Sequence, residues 1–82
     1  MNEKYKLLDV VTLLVELPDF NLQKGHVGTI VEILAEGNAF EVEFSDSHGR
    51  TFASLGLRPE QMMLLHFEPI GPSNTAWLAL AR

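Results

Sequence analysis

Three features of this 82-residue chain predict an all-β domain. Its runs of Val, Ile, Thr and Phe are short, Gly, Pro, Asn and Asp punctuate them, and residues 39–44 alternate strictly between apolar and acidic. A chain of this length holds one domain. At this size only about 60–65% of the unfolded surface is buried, so the core must be efficient. Cysteine is absent, which excludes disulfides, cysteine-based zinc sites and thiol chemistry. With 46% hydrophobic and 21% charged residues, the chain is too apolar to stay disordered.

Residues 7–15 are the one place where helix and strand compete. Leu7, Leu8, Val11, Leu14 and Val15 have helical spacing, yet Val10, Val11, Thr12 and Val15 are β-branched and lose rotamer freedom in a helix, which favours a strand. Lys4 and Lys6 before this run suggest a signal peptide, but Asp9 interrupts the run and Glu16-Leu17-Pro18 stands where a small-residue cleavage site belongs. The expected location is therefore cytoplasmic. The run also falls short of the roughly 20 apolar residues that span a bilayer. Residues 17–25 form a packed loop: Pro18, Asp19, Asn21 and Gly25 supply turn chemistry, and Phe20 and Leu22 offer apolar anchors.

The clearest strand covers residues 27–34, where Gly28 admits a bend or bulge and close strand approach. After the turn at 36–38, Phe40, Val42 and Phe44 point to the core while Glu41 and Glu43 point to water. A second hairpin follows, with its tip at 45–50, Gly49 supplying positive φ, and a strand over 51–55. Pro59 opens a single 3₁₀ turn, braced by local pairing of Arg58 with Glu60. Residues 63–68 form the last strand. Five strands with one 3₁₀ turn before the fifth outline a small five-stranded SH3-like barrel over residues 1–68, whose closure hides sheet edges. Residues 69–82 form a C-terminal tail, either a short helix capped by Ser73 or Asn74 and docked through Trp77 and Leu80, or a disordered end.

Taken in order, Tyr5-Lys6-Leu7-Leu8-Asp9-Val10-Val11, Leu17-Pro18, Gly25-His26-Val27-Gly28-Thr29-Ile30-Val31-Glu32, Phe40-Glu41-Val42-Glu43-Phe44 and Leu57-Arg58-Pro59-Glu60-Gln61 resemble a family of small bacterial proteins. That family is domain of unknown function 4926, and the resemblance spans residues 5–66. Residues 25–31 are also similar to the Gly-containing strand of KOW-type and nitrile-hydratase-β-type SH3-like barrels. Both resemblances imply the same barrel. Neither supplies a catalytic residue, and the association of the family's genes with those of other small proteins implies a partner-binding role. The tail from Pro69 onward departs from the family pattern.

Charge narrows the function classes. Eleven Asp and Glu against six Lys and Arg give a net −5, and residues 1–68 alone carry eleven against five, or −6. Phosphate binding needs clustered Lys and Arg, so nucleic acid and anionic membranes are poor partners. His26, His48 and His66 lie 22 and 18 residues apart, which matches no metal-ligand motif, and they read as turn and surface histidines. Ser45, Ser47 and Ser54 lack a Gly-x-Ser-x-Gly setting, and Gly25 and Gly28 lack the Lys and helix of a phosphate loop. No catalytic residue, metal or cofactor is expected.

Glu32, Glu41 and Glu43 fall on adjacent strands, where they form either a solvated face or an acidic docking patch for a basic partner. Among the aromatics, Phe40, Phe44 and Phe52 are expected in the core, and Tyr5, Phe20, Phe67 and Trp77 as exposed anchors. The expectation is a non-enzymatic protein-interaction module, the acidic antitoxin-like or accessory partner of a protein encoded nearby. Its partner-binding residues would be Glu32, Glu41, Glu43, Phe20, Arg50 and Trp77, with loop 17–25 and hairpin tip 45–50 supplying specificity. The alternatives are an RNA- or ribosome-associated KOW-type barrel and a homo-oligomeric structural protein joined through residues 76–80.

Overall fold

The computed structural model describes residues 4–65. Strands β1 (Val10–Leu13), β2 (Val27–Leu34), β3 (Ala39–Ser45), β4 (Thr51–Leu57) and β5 (Met62–Leu64) form one antiparallel sheet in the order β4-β3-β2-β1-β5. Among the described residues no ladder joins β4 to β5, so the sheet does not close by hydrogen bonds into the expected barrel. The reason lies in the connection: Arg58 and the 3₁₀ turn Pro59–Gln61 carry the chain from one edge to the other, and β5 is only three residues long. The described strand stops at Leu64, and residues 66–68 of the expected last strand and the whole tail 69–82, with His66, Phe67 and Trp77, lie outside the described residues.

The sequence predicts one 3₁₀ turn, and the described residues hold three: Pro18–Phe20, Ala35–Gly37 and Pro59–Gln61. Pro18 presets φ for the first of these, and Asn21 closes it in the left-handed region with its N–H on the Pro18 carbonyl. The first strand is shorter than the run 7–15. Asp9 ends a turn: the Lys6 N–H donates to its Oδ2 at 2.8 Å and its own N–H donates to the Lys6 carbonyl at 3.1 Å, so that only its carbonyl, which accepts from the Ile30 N–H, reaches β2, and Leu8 is held at φ 72°. At its other end, the Leu14 N–H extends the β1–β5 register by one more bond, to the Gln61 carbonyl, while β4 runs two residues past expectation because Leu57 pairs with Phe40.

Inward-facing side chains from all five strands meet in one cluster. Val11 and Leu13 come from β1, Ile30 from β2, Phe40, Val42 and Phe44 from β3, Leu57 from β4 and Met62 from β5. Leu22 joins from the loop. Tyr5, expected as an exposed anchor, is 4% exposed: its ring lies 5.3 Å from that of Phe40, and its hydroxyl donates to the Met62 carbonyl at 3.1 Å. A buried Tyr needs such an acceptor, and the bare carbonyl at the start of β5 provides one. Phe52 departs in the opposite direction. With Ala53 opposite Phe44, Leu55 opposite Val42 and Leu57 opposite Phe40, the odd-numbered residues of β4 face the core, and Phe52 is 44% exposed on the other side.

A bulge at Val31 gives β2 its bend. Ile30 pairs with Val42 but Glu32 already pairs with Glu41, so Val31 and Glu32 both face outward. Before the bulge β2 pairs with β1 on one side and β3 on the other, and beyond it with β3 alone, which lets one strand serve both halves of the sheet. Gly28 sits on the inner face at the crossing with Val11 and Phe44, where a Cβ would come within 2.7 Å of Val42 Cγ1 and 2.8 Å of the Glu43 carbonyl oxygen. Its role is close strand approach.

Candidate functional site

A shallow groove of about 460 Å³ opens where the β1–β2 connection meets the β3–β4 hairpin, lined by Asn21, Gln23, His26, Asp46 and Phe52. Leu22, buried in the core, anchors the connection, and Leu17 and Leu22 exchange both backbone hydrogen bonds across its neck. The loop is thereby a fixed wall. His26 is tied in on several sides: its N–H donates to the Gln23 carbonyl, its carbonyl accepts from the Leu13 N–H and the Thr12 hydroxyl, and its Nδ1 accepts from the Gln23 N–H at 2.8 Å. An Nδ1 that accepts leaves Nε2 as the ring's donor position. The imidazole meets the Phe52 ring edge-on, with centroids 6.2 Å apart.

Asp46 forms the opposite wall. Its Oδ1 accepts from the backbone N–H of His48 at 2.8 Å and of Arg50 at 2.9 Å, the side-chain cap that the turn sequence Asp46-Ser47-His48-Gly49 favours. Gly49 takes φ 80° and donates to the Asp46 carbonyl. Oδ2 meets only a long ion pair, 3.4 Å from Arg50 Nε, with the Arg50 side chain 76% exposed. The Arg50 N–H above all, helped by the His48 N–H and the Arg50 side chain, holds the Asp46 carboxyl below the usual carboxylate range.

On the same outer face, Ser54 follows Phe52 along β4 and donates from its hydroxyl to Glu41 Oε2 at 2.7 Å. The register places Glu43 opposite Ser54 and Thr29, and Glu41 opposite Gly56 and Glu32. The three glutamates of the sequence reading are thus gathered in one patch, two of them as a directly opposed like-charged pair. Glu41 and Glu43 are half-buried rather than fully turned to water, because Ser54 and Thr29 stand beside them. Neither ion pair of the described residues, Arg50–Asp46 or Arg58–Glu60, involves this patch.

Arg50 stands at the groove through Asp46, whereas Phe20 is exposed on the 3₁₀ turn and does not line it. Trp77 lies outside the described residues. Asp46 falls in the hairpin tip 45–50 expected to supply specificity, whereas His26 reads from the sequence as a surface histidine and Phe52 as a core residue. The parity shared by Ala53, Leu55 and Leu57 carries the signal for Phe52, but nothing local pairs residue 26 with residue 52. Among the described residues no three His, Asp or Glu side chains gather to hold a metal ion, and no helix is long and apolar enough to cross a membrane.

Comparison with known proteins gives a family model, a domain of unknown function (DUF4926), that matches residues 7–64. No curated protein and no solved structure matches the chain.

Proposed function

We infer the role of this chain, which belongs to the DUF4926 family of domains of unknown function, from its surfaces: it is a non-enzymatic protein-interaction module that docks a basic segment of a protein partner. The observation that carries this reading is the continuity of the groove with the patch of Glu32, Glu41 and Glu43 on one outer face. Residues 4–65 hold nine carboxylates against five Lys and Arg, a net −4, so the field around this face attracts cations and repels phosphate. The architecture proposed is that of an SH3-like barrel, in which the strand order β4-β3-β2-β1-β5 coils around the single core cluster and the 3₁₀ turn Pro59–Gln61 bridges the two edge strands. The chain acts in the cytoplasm as the acidic antitoxin-like or accessory partner of a protein encoded nearby.

One observation favours self-association as a second reading. Val10, Val27, Met63 and Leu65 are all exposed, and Thr12 pairs with both Val27 and Met63, which brings these apolar side chains side by side across β2, β1 and β5.

A tagged full-length chain, used to capture partners at physiological salt beside a Glu41→Lys/Glu43→Lys variant, tests the first reading. One stoichiometric basic protein, lost in the variant, is the expected result. Capture that is indifferent to the substitutions, or recovery of RNA, overturns it, and a doubled mass in solution with no partner moves the role to self-association.

A further inference from the structure

The groove has three properties that the docking reading leaves unexplained. Phe52 presents nearly half of its surface to solvent at the point where the β3–β4 register shifts between Phe44 and Ser45, so that Thr51 and Phe52 are both exposed, and its ring packs at an edge-type angle against His26. Two backbone N–H groups lock Asp46 through Oδ1 alone, leaving Oδ2 to the loosest ion pair of the described residues. The His26 Nδ1 is already taken by the Gln23 N–H, so only the other ring nitrogen is left for a ligand.

We propose that this groove is a receptor for an arginine side chain of the partner, whose guanidinium stacks on Phe52 and hydrogen-bonds Asp46 Oδ2 in place of Arg50. The proposal rests on the docking reading and names what that face recognises. A carboxylate beside an exposed aromatic face selects a cation. A planar guanidinium satisfies both at once, stacking with its face and donating with its edge, where a lysine ammonium offers a single strongly hydrated point charge. Asn21 and Gln23 also line the groove, and a side-chain amide can accept from the remaining guanidinium N–H groups. Arg50 is the internal competitor: its long, solvent-exposed contact with Asp46 is the same pairing in an unfavourable geometry.

The test uses the isotopically labelled full-length chain, titrated with N-acetylarginine amide, its lysine counterpart and its neutral isostere N-acetylcitrulline amide, and followed by NMR. The arginine probe is expected to shift Gln23, His26, Asp46 and Phe52 saturably, with lysine weaker and citrulline without effect. Phe52→Leu should weaken binding by about two- to fivefold, as expected of a cation–π contact at an exposed site. Arg50→Gln, which vacates Oδ2 without touching the backbone cap, should strengthen it. Equal shifts from citrulline, or no shifts from any probe, overturn the proposal. Arginine-induced shifts confined to Glu32, Glu41 and Glu43 overturn the groove while leaving the docking face standing. The docking reading fails on its own terms if the Glu41→Lys/Glu43→Lys variant keeps its partner while arginine still occupies the groove.

Discussion

Gly28 and Gly56 are both strand glycines, and only their surroundings separate them. A Cβ on Gly28 would sit 2.7–2.8 Å from Val42, Phe44 and the Glu43 carbonyl oxygen, and a backbone atom cannot swing aside. At Gly56 the nearest atoms are Leu34 Cδ1 at 3.7 Å and Glu41 Oε1 at 4.0 Å, an ordinary contact on the outer face. Gly28→Ala should therefore destabilise the fold by about 1–3 kcal/mol, the usual cost of overpacking. Gly56→Ala should leave urea unfolding within about 0.5 kcal/mol of the parent, as expected of a surface change. Loss of stability at Gly56 and tolerance at Gly28 would reverse the assignment of inner and outer faces. Tyr5 and Phe52 carry the same lesson for large side chains. Sequence position put Phe52 inside, on a strand, and Tyr5 outside, near the end of the chain, whereas strand parity and a waiting carbonyl reversed both.

At the scale of the element, the β3–β4 hairpin is organised by one carboxylate. Asp46 accepts the N–H groups of His48 and Arg50, and these bonds are stronger to the ionised form, so its folded-state pKa lies below its unfolded value. The sign follows: the hairpin tip is at its tightest above the ordinary carboxylate range and loosens as pH falls through the lowered folded value. Acidification below pH 4 should shift the amide resonances of His48 and Arg50 with a midpoint below that of an unstructured Asp. Asp46→Asn should abolish this titration. The turn before β5 behaves similarly, since Arg58 Nε lies 2.7 Å from Glu60 Oε2 and lowers the Glu60 pKa. Both side chains of that pair are about two-thirds exposed, so its bracing is local and screened by salt.

For the whole molecule, the decisive property is an uneven charge distribution over a small folded unit. The groove and Glu32, Glu41 and Glu43 share one outer face, while the exposed apolar residues Val10, Val27, Met63 and Leu65 cluster on β1, β2 and β5. Partner capture by the acidic face should weaken steadily as ionic strength rises from about 0.1 to 1 M, over which the screening length shrinks from about 10 to 3 Å. Capture that strengthens with salt would instead point to the apolar surface. The pairing order of the strands also leaves β4 and β5 as edges, with the 3₁₀ turn between them as their cover.

What the sequence by itself determined were the features set by neighbouring residues. Alternation placed Phe40, Val42 and Phe44 inward and Glu41 and Glu43 outward, Asp46 and Gly49 marked the hairpin, and Pro59 opened the turn before β5. The match of the family model over residues 7–64 rests on the same local order. The tertiary structure alone decided the phase of β4, the bulge at Val31, the extra 3₁₀ turns, the open ladder and the meeting of His26 with Phe52. The physical reason is range: turn and strand preferences come from sterics within a few residues, whereas register and coil come from how distant strands pack over one shared core.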